Sequence, residues 1–485
     1  MTRQDGVSSS HRRGGDTPET GHVFINKGVI VKDVVIVGAG LAGLSAAWRL
    51  RHWDTLVLEA SDRVGGRIMS ERRGQYWLNW GGHMFSGPGS STDALLHEVG
   101  IDAGVLPGAL AGIEMNGKFI SKGSMAMFPF RLPMPFKARV DTLTGGIKLV
   151  AALLGKYINV VRTRPGESGA IRQQRIYDFD NNRTFRDFIG KLHPDAEALY
   201  ATTVQRSTGS IDEISAGSGI GYFSLVLGIG QGLNRGIIGG PSTLTESMAT
   251  ALGNRIQLGA RVSEVIHKSD SVVVRYTQGG KDYEVEAHTA ILATTPDVTH
   301  KIAVDLPSDI RDALGQIKFG PHVSVAFLTD ETGPRRWDNT YCVVAPKHTF
   351  SIMTNQASLI RGSESQRQPG GSIFAFAPGQ SGAKLMEMDN EDIVQLAQKE
   401  IDKSLGQGFG ESVVEGRAEK FAFGSPYCYP GRAKIQPTLM RGASRVFLAG
   451  DFLGTLYTET AITSGMTAAQ NAASLLATRK QTLLA

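Results

Sequence analysis

VVIVGAGLAGLSAAWRL, residues Val34 to Leu50, runs a β-branched segment into three glycines and then into an alanine- and leucine-rich stretch. Glycine is used where a backbone must turn tightly or where another group must come close. The spacing G-x-G-x-x-G between a strand and a helix meets both demands. Gly38 makes the turn, Gly40 lets a diphosphate approach the main chain, and Gly43 lets the helix lie against the strand. The helix N-terminus adds free N–H groups and a positive dipole end. In TLVLEA the next apolar run ends on Glu59, about twenty residues downstream, where an acid that accepts from a ribose hydroxyl belongs. The expectation is a dinucleotide-binding strand, turn and helix.

Composition bounds the rest. A chain of 485 residues with 41% hydrophobic content is long enough for two or three lobes around a large core. The net charge of +5 is mild and comes without a basic run interleaved with aromatics, so nucleic acid is not the expected partner. Cys342 and Cys428, the 2 cysteines, form neither a disulfide framework nor a conventional metal cluster, and a reducing, cytoplasmic setting fits them. Residues 1–30 are polar and glycine-rich and read as a disordered tail rather than a signal peptide. No uninterrupted apolar window has the length of a membrane span.

The strand pattern of the first segment breaks after WLNWGGHMF at 77–85 and gives way, from about 120 to 240, to a Met-, Phe- and Pro-rich stretch. Helices are expected there over Ile147–Tyr157 and Thr184–Leu192. Strands return in RIQLGARVSEVIHK, SVVVRYTQ and YEVEAHTAILATTP, leave again through HVSVAFLTD, and return once more in RVFLAGDFLG. A helix from about Glu459 to Leu476 follows. Strand–helix alternation at both ends predicts an α/β fold: a Rossmann-like nucleotide-binding domain with an inserted α+β substrate-binding domain. The expected division gives the first domain 31–119, 236–300 and 436–485, and the second 120–235, with a helical lobe, and 301–435.

VVIVGAGLAGLSAAW, LEASDRVGGR, WGGHMF and AGDFLGTLYTETAITSGMTAA, taken in that order, resemble the flavin-containing amine oxidase superfamily. Monoamine oxidases, protoporphyrinogen oxidase and phytoene desaturases belong to it. The resemblance is strong over 34–90 and 440–477, fair over 236–300 and poor through the middle. It implies FAD as the cofactor.

Each element also has its own chemistry. In DRVGGR, Gly65 and Gly66 allow close backbone approach, while Arg63 and Arg67 can neutralise a diphosphate with fork-shaped donors. Gly81 and Gly82 let the chain pass the flat face of a ring, with His83 beside them. By resemblance, Val262 in ARVSEV holds the adenine half through its backbone, and Asp451 after Gly450 binds the ribityl and phosphate region. The helix that begins near Tyr457, with Thr460, Ala461 and Ile462 in its first turns, would direct its positive end at the flavin and favour the reduced, anionic ring.

The resemblance also implies two aromatic side chains before the flavin face. Tyr457 falls on one such position, and Tyr429 or Tyr427 in SPYCYPGR can supply the other. Amine oxidases of the family carry a lysine in the strand that here reads KFGPHVSVAFL, where this chain has Ser324, and Lys318 precedes the turn. The spacing from Pro426 to Arg432 is closer to the protoporphyrinogen oxidase and desaturase branch. Cys428-Tyr429 reproduces a dipeptide through which some relatives attach flavin covalently, but a free buried thiol is the commoner state and non-covalent FAD is expected. The expected activity is hydride removal from a C–H bond next to nitrogen of an apolar amine, giving an imine. C–C desaturation, or a flavin-binding scaffold or redox sensor without turnover, stands as the alternative. Between Arg131 and Arg164, basic residues surround a single acid, Asp141, amid apolar residues. Packing within the substrate lobe is the expected role of this stretch, and peripheral membrane contact through 125–164 is the alternative.

Overall fold

Lys32–Val37 is buried from Val34 onward on both faces, the pattern of a central parallel strand covered by helices on either side. This computed structural model describes residues 31–106, 112–123, 127–227, 232–361, 367–406, 408–455 and 457–484, and the tail expected over 1–30 lies outside them. Lys32–Val37 is flanked in parallel by Thr55–Leu58 and by the second half of Lys281–Leu292. Ile256–Gln257 and Val446–Leu448 continue the parallel set at its two sides. The first half of Lys281–Leu292 carries an antiparallel meander, Val272–Gln278 and Arg261–His267, to complete a seven-stranded sheet.

Register matters more than strand count here. Val37 pairs with both Leu58 and Leu292, and Leu292 pairs with Leu448. The parallel strands therefore end level with one another, and the residues that follow them, Gly38, Glu59, Ala293 and Gly450, line one crevice. Ligands of open α/β sheets bind outside such carboxyl ends.

Two helices close one face of this sheet, Leu41–Arg49 and Tyr457–Leu484, and they touch through glycine. A Cβ at Gly43 would stand 1.9 Å from the Gly38 carbonyl oxygen, and one at Gly465 2.1 Å from that of Ala42. No side chain fits at either place.

The second sheet is also seven-stranded. In order it comprises Val413–Tyr427, Lys318–Thr329, Gly371–Pro378, Ile352–Asn355, Cys342–Val344, Gly112–Met115 and Lys118–Ile120. Its Gly112–Met115 hairpin joins through Cys342–Val344, so this sheet begins within the stretch that the sequence assigns to 31–119. The third body is a helical lobe packed around Leu149, Leu153, Tyr157, Phe185, Tyr200 and Phe223.

The helix expected at Ile147–Tyr157 is longer. It runs Phe136–Ala152, through a π-turn at Leu153–Tyr157, into Ile158–Val161. Ala138, Gly145, Leu149, Leu153 and Tyr157 face inward, while Phe136 (82% exposed), Ile147 (69%) and Leu154 (56%) face out. Among the described residues this helix, Phe136–Val161, is long and apolar enough to cross a membrane, with 22% of its apolar window buried. Lys148 and Lys156 interrupt it, which is why no uninterrupted apolar run shows in the sequence. The shorter helix expected at Thr184–Leu192 is Phe185–Ile189, capped by a Thr184–Asp187 capping box.

Candidate active site

A cavity of about 700 Å³ runs from the carboxyl edge of the first sheet, past the second sheet, to the helical lobe. Its size suits a cofactor with a small substrate. At the sheet edge Ala39 N–H donates to Glu59 Oε2 at 2.7 Å, while Glu59 Oε1 accepts from the Ser61 amide and hydroxyl. Oε1 has both lone pairs engaged, and Oε2 keeps a further lone pair for a ligand hydroxyl. Gly40 is in extended backbone, and a Cβ there would meet nothing within 4 Å. The space over Gly40 belongs to whatever fills the cavity. Gly65, Gly66 and Val262 line the same end.

The two arginines of DRVGGR diverge. Arg63 turns back on its own loop and donates to the carbonyls of Val64, Gly66 and Ile68, satisfying acceptors that a tight glycine turn leaves unpaired. It does not line the cavity. Arg67 does, and it makes a bidentate pair with Asp451 at 2.7 and 2.8 Å. Two residues expected on separate parts of a cofactor are thus brought together, tying the glycine loop to the C-terminal segment.

WGGHMF forms the middle of the wall. A Cβ on Gly81 would meet the Arg67 carbonyl oxygen at 2.1 Å, and Gly82 N–H donates to that same oxygen at 2.9 Å. His83 Nδ1 lies 3.1 Å from the Gly81 carbonyl, so Nδ1 carries the proton and Nε2 is left as an acceptor. Nε2 is buried and has no partner among the described residues. Burial, helped by the charge of Arg206, lowers the His83 pKa to about 4. The second sheet contributes His322 and Ser324 from one strand face. The His322 pKa is also lowered to about 4, first by burial and then by Arg67 and His83. Both imidazoles are neutral at neutral pH.

Tyr457 opens the last helix with φ 36°, a conformation that non-glycine residues rarely adopt. Its hydroxyl hydrogen-bonds to that of Tyr222, and the two rings stack with centroids 6.2 Å apart and planes 23° from parallel. Burial raises the Tyr457 pKa well above its ordinary value. Tyr222 comes from the helix Ala216–Val226 and lines the cavity with Leu225, Phe374 and Phe376.

Neither expected partner of Tyr457 stands there. The Tyr429 ring packs beneath the Lys318 ammonium, 4.9 Å away, because the strand carrying this segment ends at Tyr427 and the chain turns off. The Tyr427 hydroxyl points to Glu213. Ala461 lines the cavity, whereas Gly43, Thr460 and Ile462 lie behind its wall. Cys428 does not line it, and burial raises its thiol pKa.

Tyr222, Arg206 and His322 escaped the sequence reading. His322 could have been found, since it precedes Ser324 by the two-residue repeat of a strand face. Tyr222 and Arg206 sit in helical stretches whose pattern reports only packing.

The cradle fits a flavin dinucleotide: open space over a helix N-terminus, an acid at the second strand end, paired glycines along a wall and an unpartnered buried imidazole nitrogen. The sequence profile of the flavin-containing amine oxidoreductases matches residues 41–473. Amine oxidase [flavin-containing] A of Canis lupus familiaris is 25% identical over 67% of this chain and 60% of its own length. Putrescine oxidase of Kocuria rosea is 28% identical over 47% of each chain, so the match spans less than two thirds of either relative. L-amino-acid oxidase of Vipera ammodytes ammodytes is 23% identical over 91% of this chain and 92% of its own. The solved structure of putrescine oxidase bound to putrescine superposes with a TM-score of 0.72 over 92% of this chain and 100% of that one, at 18% identity.

The two histidines make stability acid-sensitive in a defined window. The unfolded chain protonates them near pH 6.5 and the folded chain only near 4. Between these values the unfolded state holds more protons, so the stability present above pH 6.5 is lost as pH falls toward 4, by up to about 1.4 kcal/mol per pH unit per histidine. Melting temperatures of wild type should fall over that window, and those of His83→Gln/His322→Gln should fall less steeply. Parallel curves for the two proteins would show that neither imidazole is held neutral.

Proposed function

This chain belongs to the flavin-containing amine oxidoreductase family and its cofactor is FAD, and on that premise we propose that it oxidises a C–N bond of an amine-bearing small molecule to an imine. FAD, when bound, supplies the two-electron acceptor for the hydride equivalent. The carbon–hydrogen bond breaks, the carbon–nitrogen double bond forms, and the remaining nitrogen-borne proton leaves to solvent. Gly38, Gly40, Glu59, Gly65, Gly66 and Arg67 would hold the dinucleotide. Gly81, Gly82 and His83 would flank its ring, with Val262 at the adenine end and Asp451 and Ala461 at the opposite wall.

The observation that carries this reading is the Tyr222–Tyr457 pair, which shares the cavity with the apolar side chains of Leu225, Phe374 and Phe376. Two stacked phenol rings present a flat, electron-rich boundary that orients a small amine without charging it. An apolar surround also disfavours an ammonium ion, so the amine enters as the neutral base that can release hydride. Ser324 lies on the same wall as a small polar side chain where the family lysine would reach much farther.

A second feature concerns location. The exposed stripe of Phe136, Ile147 and Leu154 is flanked by basic residues, and a second cavity of about 50 Å³ shares Tyr222 and Leu225 with the first while touching Val161 at the end of this helix. We propose that the stripe rests on an anionic bilayer, within reach of the active site.

Three outcomes follow. Gly40→Leu should fold, its apoprotein melting with the wild-type apoprotein, yet purify without FAD, because the added side chain clashes only with a bound diphosphate. Full flavin occupancy would remove the cradle assignment. Tyr457→Leu and Tyr222→Leu should retain FAD and slow anaerobic flavin reduction by about ten- to a hundredfold, whereas a purely structural pair would lower the melting temperature and leave that rate unchanged. Vesicles containing anionic lipid should bind the protein, and Ile147→Asp/Leu154→Asp should weaken that binding about tenfold or more. Equal sedimentation of both proteins with vesicles would dismiss the membrane contact.

A further inference from the structure

Arg206 lies just beyond the helix Pro194–Gln205, at its C-cap, and lines the cavity beside the tyrosine pair. Its guanidinium reaches Met84 Sδ at 3.8 Å, and its charge acts on His83, Tyr341 and Tyr457. It makes no ion pair among the described residues. The cavity's two carboxylates are engaged elsewhere: Asp451 is held bidentately by Arg67, and Glu59 stands at the dinucleotide end with Ala39 and Ser61. The other titratable groups around Arg206 supply no negative charge, since burial keeps Tyr341 and Tyr457 protonated and both histidines are neutral.

We infer that Arg206 binds a carboxylate of the substrate, so that the molecule oxidised is an amino-carboxylate and not a simple amine or a diamine. The inference rests on the amine-oxidation reading and adds the second functional group of the substrate. A diamine would bring a second ammonium to a wall that holds a cation and no free acid, and like charges in a partly desolvated site repel strongly. A carboxylate would supply the acidic partner that the Arg206 guanidinium lacks among the described residues, and the planar guanidinium presents it with two parallel donors. With Arg206 anchoring the anion and the two rings bounding the amine, the C–H bond between them has one orientation. An apolar remainder of the substrate would lie against Phe374 and Phe376.

The test is titration of the FAD-loaded protein with 3-phenylpropionate and with 3-phenylpropanol, read by calorimetry and by the flavin absorbance difference spectrum. It is run beside anaerobic reduction by phenylalanine and by 2-phenylethylamine. The carboxylate should bind at least about tenfold more tightly than the alcohol, and less tightly at high salt. Arg206→Leu and Arg206→Gln should remove that preference by about ten- to a hundredfold, the worth of a charged hydrogen bond, while Arg206→Lys retains part of it. Carboxylate binding without reduction by either amine would sink the amine-oxidation reading and leave the anion site standing. Rapid reduction by 2-phenylethylamine with no carboxylate binding would do the reverse. Unaltered carboxylate affinity in Arg206→Leu, with a changed flavin potential instead, would assign the guanidinium to the reduced ring and overturn the inference.

Discussion

Everything in this molecule depends on how closely backbone passes backbone at one edge of the first sheet. The Gly43–Gly38 and Gly465–Ala42 approaches leave less than 2.5 Å for a side chain, so the first and last helices of the chain lie directly on the strand ends and on each other. That contact brings Tyr457–Leu484 to the same crevice as Leu41–Arg49, although the chain between them builds a second sheet and a helical lobe. Level termination of the parallel strands does the rest, because hydrogen-bond register places Gly38, Glu59, Ala293 and Gly450 side by side. A one-residue slip would turn these groups to the opposite face.

This geometry explains what could be read in advance. Glycines at the strand–helix turn, the acid after Leu58 and the Gly-Asp after Leu448 are local signals, since each residue is needed for the conformation or chemistry of its own position. Ala461 was reachable by the same logic, being in the first turn of a helix whose start was evident. The second half of the site was not legible in this way. Tyr222 and Arg206 come from the helical lobe, where Phe185, Tyr200 and Phe223 satisfy the same periodicity by packing. Which ring faces the cavity is decided by the docking of the lobe on the sheets. The same holds for the Gly112–Met115 hairpin, whose membership of the second sheet depends on a strand more than 200 residues later, Cys342–Val344.

Electrostatics divides the cavity into two halves of different character. At the dinucleotide end, Arg67 and Asp451 hold one another as a bidentate ion pair, while Glu59 is held by Ala39 and Ser61. Removing either would leave the other in a partly desolvated wall, which costs more than the pair contributes. At the other end Tyr341, Tyr457, His83 and His322 are neutral, because burial shifts each toward its uncharged form. Arg206 is the exception there, a guanidinium that lines the cavity and makes no ion pair among the described residues.

The positive φ of Tyr457 belongs to the same logic. A non-glycine residue in that conformation costs about 1–3 kcal/mol and persists only where its surroundings over-determine it. Three contacts do so: the Tyr222 hydroxyl, the ring stack, and Thr458, whose hydroxyl donates to the Met84 carbonyl at 2.7 Å. Without the left-handed turn, the helix would begin with its first side chain on another bearing, and the ring would leave the wall it shares with Tyr222. The strain at residue 457 is thus what points the ring across the cavity, and the contact of its neighbour Thr458 with Met84 of the WGGHMF segment helps to hold it there.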